Sequence, residues 1–142
     1  NALKKSYAQI NIGNPLDLIN HMGPLIDADA VQKYLDTIET IKKQGGKIIT
    51  PYGKLEGKGF KGGHYVSPCI AEVSHDMQIV QHETFAPILY VMRYNNLEEA
   101  IAIQNAVPQG LSSAIMSNDF KEIDKEIEIK AKPGYKFEMY PD

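Results

Sequence analysis

Between Asp27 and Thr50 the sequence encodes a capped amphipathic helix that runs straight into a strand, and this pairing constrains the fold more than any other stretch. Asp27 and Asp29 suit an N-cap and a first turn, where negative charge complements the helix dipole. Val31, Leu35, Ile38 and Ile41, with Tyr34, recur on one apolar face. Lys42 and Lys43 fill the last turn, and Gly45-Gly46 ends it. Lys47-Ile48-Ile49-Thr50 is then a short β-branched run, closed by Pro51. A helix feeding directly into a strand is half of an α/β unit.

The rest of the chain repeats the alternation. Leu3, Tyr7 and Ile10 stand at helical spacing, so the chain opens inside a helix, as a piece of something longer would. Residues 13–26 are punctuated by Gly13, Pro15, Gly23 and Pro24 and predict a loop. Residues 53–63 hold five of the eleven glycines and predict a flexible or hairpin-like surface segment. His64–Ala71 reads as a strand, at an edge or irregular because of Pro68. Met77–Val80 reads as a short extended piece and Ile88–Tyr94 as the strongest strand. Asn96 with Glu99 three residues on is an Asn variant of the capping box, opening a helix that carries Leu97, Ala100 and Ile101 and stops at Pro108-Gln109-Gly110. Leu111–Met116 predicts a strand, and Ser117 starts a last helix. The expected class is α/β, with a mostly parallel sheet flanked by helices.

Composition excludes several functions. The net charge is −3, which leaves no broad basic footprint for nucleic acid. The longest uncharged apolar run, Phe85–Met92, has eight residues, far below a membrane span. The single cysteine, Cys69, permits neither an internal disulfide nor a thiolate metal cluster, and suits a reducing, cytoplasmic compartment.

Gly57-Lys58-Gly59-Phe60-Lys61-Gly62 matches the dinucleotide fingerprint letter by letter. That mechanism needs a strand before the glycines and a helix N-terminus after them to hold the pyrophosphate. Here a strand pattern follows, so the segment reads as a loop. Cys69 lies inside a strand pattern with nothing nearby in sequence to lower its pKa, and reads as a buried structural thiol. His21, His64, His75 and His82 lack metal-ligand spacing. His75-Asp76 as a base and its orienter is disfavoured, because strand neighbours point to opposite faces. Glu83, just before an apolar run, reads from composition as a solvated loop carboxylate.

Four segments nevertheless resemble the aldehyde dehydrogenase superfamily. Glu83-Thr84-Phe85-Ala86-Pro87-Ile88 is similar to its E-x-F-G/A-P segment, and Gly13-Asn14-Pro15 with Gly23-Pro24-Leu25-Ile26 to its G-D/N-P…G-P-L-I loop. Gly63–Pro68 with Asp76-Met77 resembles the approach to that glutamate, and Gln109-Gly110-Leu111-Ser112-Ser113 the Y-G-L-S/A segment. The runs Glu83–Val91 and Pro108–Ser113, with Ala86 where most relatives carry glycine, resemble the antiquitin branch, the α-aminoadipic semialdehyde dehydrogenases. The resemblance implies a partial catalytic domain over residues 1–124 with an incomplete sheet, followed by a divergent tail at 125–142. It also implies the family chemistry. A cysteine attacks an aldehyde, hydride passes to NAD, and a glutamate-activated water completes oxidation to the acid. Glu83 corresponds to the glutamate that bonds the nicotinamide ribose hydroxyls, and Phe85 to the aromatic packed near the nicotinamide. A carboxylate suits two vicinal hydroxyl donors, and such charged hydrogen bonds are strong.

The family's nucleophilic cysteine, general-base glutamate, oxyanion-hole asparagine and dinucleotide-binding domain have no counterpart here, and Cys69 falls where the family has no catalytic residue. No residue of this chain is therefore assigned a catalytic role. Three functions are expected from this reading. The first is a piece of an NAD-dependent aldehyde dehydrogenase that is inactive alone. The second is a non-catalytic module that self-associates or docks on dehydrogenase subunits. The third is a separate α/β domain whose Gly57–Gly63 loop takes a phosphate ligand.

Overall fold

The computed structural model describes residues 2–108 together with 114 and 116. It divides into two compact units, residues 1–92 and 93–142. The expected strand at 111–116 and the helix after Ser117 fall, apart from Ala114 and Met116, outside the described residues, as does the division at residue 124.

The first unit opens with helix α1 (Ala2–Tyr7), which buries none of its residues. The expected loop follows. Asn11 and Asn20 hold it by donating side-chain hydrogen bonds to the carbonyls of Ile19 and Asn14, each at 3.0 Å. A Cβ on Gly13 would stand 2.6 Å from the Asn20 side-chain nitrogen, so a larger residue there would displace the Asn20 side chain from its bond to Asn14.

Helix α2 (Ala28–Lys43) forms as its sequence dictates. Asp27 caps it, its carboxylate accepting from the Ala30 amide at 2.8 Å. Val31, Tyr34, Ile38 and Ile41 are buried along one stripe. Gly45, at φ 94°, carries the turn out of the helix. The chain then enters β1 (Lys47–Ile48). Two further strands, β2 (Gly53–Lys54) and β3 (Val66–Ser67), pair as an antiparallel hairpin in the register Gly53↔Ser67. The glycine-rich segment is the loop of that hairpin, with the Phe60 and Tyr65 rings 5.3 Å apart across its end.

Pro68 divides the expected His64–Ala71 strand in two. It has no amide hydrogen to give a ladder, so pairing stops on one side and restarts on the other. Beyond it, β4 (Cys69–Glu72) lies at the centre of a three-stranded sheet in the order β1-β4-β5. Cys69, Ile70 and Ala71 are all fully buried, as a strand covered on both faces requires. The edge strand β5 (Ile88–Val91) alternates, with Leu89 and Val91 exposed. The core is α2 packed on β3 and β4, joined by Ile48, Ile88 and Tyr90. Burying each such aliphatic side chain contributes roughly 1.5–3 kcal/mol.

The α/β class and the incomplete sheet agree with the sequence reading. The pairing is mixed among the described residues: β4–β5 is parallel, whereas β1–β4 and β2–β3 are antiparallel. The connections explain this. Parallel neighbours need a crossover of a dozen residues or more, usually helical. Residues 73–87 supply one between β4 and β5. The stretch from β1 to β4 is spent on the hairpin, so the chain returns antiparallel.

Met77–Val80, expected to be extended, instead lies on a 3₁₀ helix, Gln78–Gln81, within that crossover. The Gln44 side chain accepts from the Ile79 amide at 3.1 Å, and Ile79 and Val80 pack against the cluster around Ile41. Four apolar-rich residues carry no period that separates a turn of helix from a strand.

In the second unit, α3 (Leu97–Asn105) carries the expected cap. Asn96 accepts from the Glu99 amide at 2.9 Å. The Glu99 carboxylate reaches back to the Asn95 amide at 2.6 Å, one residue beyond the usual capping-box partner.

Candidate functional site

The crossover from β4 to β5 ends in the turn Glu83-Thr84-Phe85 immediately before β5. Here the two sequence-predicted site residues come together. Glu83 is exposed, and Phe85 is 83% exposed, although a ring of that size is ordinarily buried. Phe85 also has φ 54°, and no other non-glycine residue described here has a positive φ. Left-handed backbone at an aromatic residue costs free energy and persists only where neighbouring structure imposes it. The next residues supply that frame. The Ile88 amide donates to the Ala86 carbonyl at 2.7 Å, and the Cys69 amide to the Pro87 carbonyl at 3.0 Å, so the end of the turn is stitched to β4.

Thr84 is half-buried, while its neighbours on both sides are exposed. Its hydroxyl lies 3.5 Å from that of Thr37, a buried residue of α2. Sequence reasoning missed both Thr84 as the inward member of this turn and the conformation of Phe85. Neither leaves a local signal, because Thr84 meets Thr37 of α2 and the residues after Phe85 are bonded to β4, both distant in sequence.

The remaining candidates resolve differently. Cys69 has no exposed surface, and burial pushes its thiol up against a smaller opposing pull from Tyr34, the reverse of what a nucleophile needs. The Gly57–Gly62 segment precedes a strand and no helix, so no dipole faces it. His75 and Asp76 lie in an exposed turn and not on the strand the sequence reading assumed, and the Asp76 carboxyl is held below the usual range first by the hydroxyl of Ser74. His21 Nδ1 accepts from the Asn11 amide at 3.0 Å, a structural role. Among the described residues no group of three or more His, Cys, Asp or Glu could hold a metal, and no helix is long and apolar enough to cross a membrane.

What the segment offers is an exposed carboxylate and, two residues on, an exposed aromatic ring. An acceptor for hydroxyls and an apolar ring fit a ligand carrying a diol and a flat ring, which a nicotinamide riboside has.

Comparison with known proteins bears on this arrangement. Residues 1–129 match the aldehyde dehydrogenase family. The chain is 47% identical over 121 residues to aldehyde dehydrogenase family 7 member A1 of Pisum sativum, covering 85% of this chain and 23% of that protein. It is 46% identical over 125 residues to α-aminoadipic semialdehyde dehydrogenase of Bos taurus, covering 87% of this chain and 22% of that protein. Betaine aldehyde dehydrogenase of Staphylococcus aureus, solved in complex with NAD+, superposes with a TM-score of 0.78 at 28% identity, over 87% of this chain and 25% of that one. The chain thus spans about a quarter of the length of the relatives it matches. With residues 1–129 matching the family and this likeness in sequence and fold, the chain belongs to the aldehyde dehydrogenase family.

Proposed function

We propose that this chain is part of an NAD-dependent semialdehyde dehydrogenase and forms the nicotinamide-ribose side of its active site. The observation that carries this reading is the pairing of an exposed Glu83 with an exposed Phe85 on one turn whose backbone is held left-handed. Bound there, NAD would supply the hydride acceptor. The Glu83 carboxylate would accept hydrogen bonds from the two vicinal ribose hydroxyls and so orient the ribose. The Phe85 ring would pack near the nicotinamide and exclude water from it. Hydride transfer depends on nicotinamide placement, so these two side chains act on the rate through position. The likeness to α-aminoadipic semialdehyde dehydrogenase supports a semialdehyde as the substrate class.

On its own the chain turns over no aldehyde. Its single cysteine is buried in the strand that organises the core, with its thiol held protonated. A second reading, a non-catalytic module that self-associates or docks on dehydrogenase subunits, is favoured by the exposed Leu16, Leu18, Ile19 and Ile26. Either role suits a reducing cytoplasm, and the acidic net charge speaks against a nucleic-acid partner.

Glu83→Gln in the full-length dehydrogenase carrying this segment tests the reading. Hydrogen bonds to a charged group are worth about 1.5–3 kcal/mol, so NAD affinity should fall roughly tenfold or more. The hydride-transfer rate should fall with it, and aldehyde affinity should change less. Unchanged affinity and rate would return Glu83 to the role of a solvated surface carboxylate.

A further inference from the structure

The loop of residues 12–26, between α1 and α2, spends its polar side chains on its own backbone and gives its apolar ones to solvent. It closes on itself, the Gly13 amide donating to the Met22 carbonyl at 3.1 Å and the Met22 amide to the Asn11 carbonyl at 3.2 Å. Asn11 and Asn20 donate to loop carbonyls, the Asn14 side chain accepts from the Leu16 amide at 3.1 Å, and His21 Nδ1 accepts from the Asn11 amide. At the exit, the Leu25 amide donates to the His64 carbonyl at 2.8 Å and Leu25 packs on the core. A compact loop whose ends meet and whose own side chains brace it is a firm platform.

On that platform Leu16 and Ile26 keep 86% and 87% of their surface exposed, Ile19 keeps 74%, and Leu18 keeps all of it. A single exposed aliphatic residue is ordinary, but four between positions 16 and 26 on a loop held this way mark an interaction surface. Anchors fixed in advance bind at a low cost in ordering.

Charge decides what can cover it. Residues 12–26 hold one acidic side chain, Asp17, exposed between Leu16 and Leu18, and no Lys or Arg. A charge taken into an apolar contact needs an opposite partner. Two copies of the loop meeting face to face would bring Asp17 toward Asp17 with no basic side chain to offset either. The cover is therefore a different surface, apolar and carrying a cation. The relatives hold about three quarters of their length beyond what this chain matches, enough to supply one.

We propose that this loop is a docking face for the part of a dehydrogenase subunit that the chain does not match, with Leu16 and Leu18 seated on an apolar surface whose Lys or Arg pairs with Asp17. The identity of the partner rests on the function proposed above. The face itself stands on the bonds and exposures just given.

Thiol footprinting of Leu18→Cys tests it, with iodoacetamide as the probe and peptide mass mapping as the readout. It is run on the full chain and on the full-length dehydrogenase carrying this segment. In the full chain the new thiol should react as fast as in the urea-denatured chain, while the buried Cys69 stays unlabelled and reports an intact fold. In the full-length enzyme the thiol at position 18 should react roughly tenfold or more slowly, because a covered site labels only when it opens. Equal rates in chain and enzyme overturn the proposal. A rate in the chain that falls as its concentration rises makes the cover a second copy and overturns the partner. Asp17→Asn in the same enzyme should lose most of the protection, since it leaves a covered cation unpaired. Unchanged protection overturns the basic partner. If Leu18→Cys disturbs the enzyme, Leu16→Cys takes its place with the same expectations. Glu83→Gln keeps the two ideas apart. Protection at position 18 with NAD affinity unmoved by Glu83→Gln leaves the docking face and removes the cofactor reading. Weakened NAD binding with the thiol at position 18 still open does the reverse.

Discussion

The hydroxyl of Tyr34 donates to the carbonyl of Ser67 at 2.6 Å, and the same oxygen accepts from the amide of Gly53 at 3.2 Å. One side chain of α2 thus ties down both strands of the β2–β3 hairpin. Tyr34→Phe should cost more than a surface hydroxyl would, because it orphans a backbone donor and a backbone acceptor together. A loss of roughly 1–3 kcal/mol is expected, measured by urea unfolding. A loss under about 0.5 kcal/mol would mean that water replaces both bonds freely.

Stability should decline in alkali, and from a definite point. Burial raises the thiol of Cys69 from an ordinary 9.0 and the phenol of Tyr34 from 10.0. Both groups are neutral when protonated, so the folded state holds their protons more tightly than the unfolded chain. Their stabilising effect is complete below pH 9.0 and is lost as pH rises through the folded values, by up to about 1.4 kcal/mol per pH unit for each group. Thermal melts between pH 7 and 11 should fall from about pH 9, and Cys69→Ala should delay the fall toward pH 10, where Tyr34 begins. A flat profile in this range would contradict both assignments.

Two adjacent glycines should respond differently. A Cβ on Gly46 would stand 2.5 Å from Cγ2 of the buried Ile41, so Gly46→Ala overpacks the core and should cost about 1–3 kcal/mol. Gly45 has open space but φ 94°, so Gly45→Ala strains only the backbone, at roughly 1–2 kcal/mol. Asparagine tolerates left-handed backbone, so Gly45→Asn should recover part of the loss and Gly46→Asn none. Equal behaviour at the two positions would defeat the distinction.

Phe85 should trade stability for binding. It packs little and occupies strained backbone, so Phe85→Gly should stabilise the chain by up to about 1 kcal/mol in denaturant titrations. In the full-length dehydrogenase the same change should weaken NAD. A destabilised Phe85→Gly would show that the ring packs against something in solution.

The chain should associate. Among the described residues β5 ends its sheet, and it exposes Leu89 and Val91. Such an edge offers free amides and carbonyls to another strand. Size-exclusion chromatography with light scattering should give a mass that rises with concentration. A sharp monomer at every concentration would remove the second functional reading.

Where local chemistry decides, the sequence was readable. Asp27, the Val31–Ile41 stripe and the Asn96 cap needed no tertiary information, because caps and helical periods are settled within a few residues. Pro68 announced a break, although not that its two sides join different sheets. That outcome depends on which partner edge is free. The Gln78–Gln81 helix escaped because one of its amides, that of Ile79, is satisfied by Gln44, on a distant part of the chain. The site was legible only through resemblance. Composition makes Glu83 a solvated carboxylate, which it is, and gives no reason to pair it with Phe85. The left-handed backbone at Phe85 is followed by residues bonded to β4, a partner that local sequence does not announce.

Every buried hydrophobic side chain of the described core lies between Val31 and Val73. In kinetic terms, this core closes on itself through short loops, and loop-closure entropy grows only with the logarithm of loop length. Helix α2, the hairpin and β4 can therefore meet through short closures, without the Glu83–Phe85 turn contributing a buried side chain. The exposed Glu83 and Phe85 thus sit outside the stretch that buries the core, on a turn tied to it by the bond from the Cys69 amide to the Pro87 carbonyl.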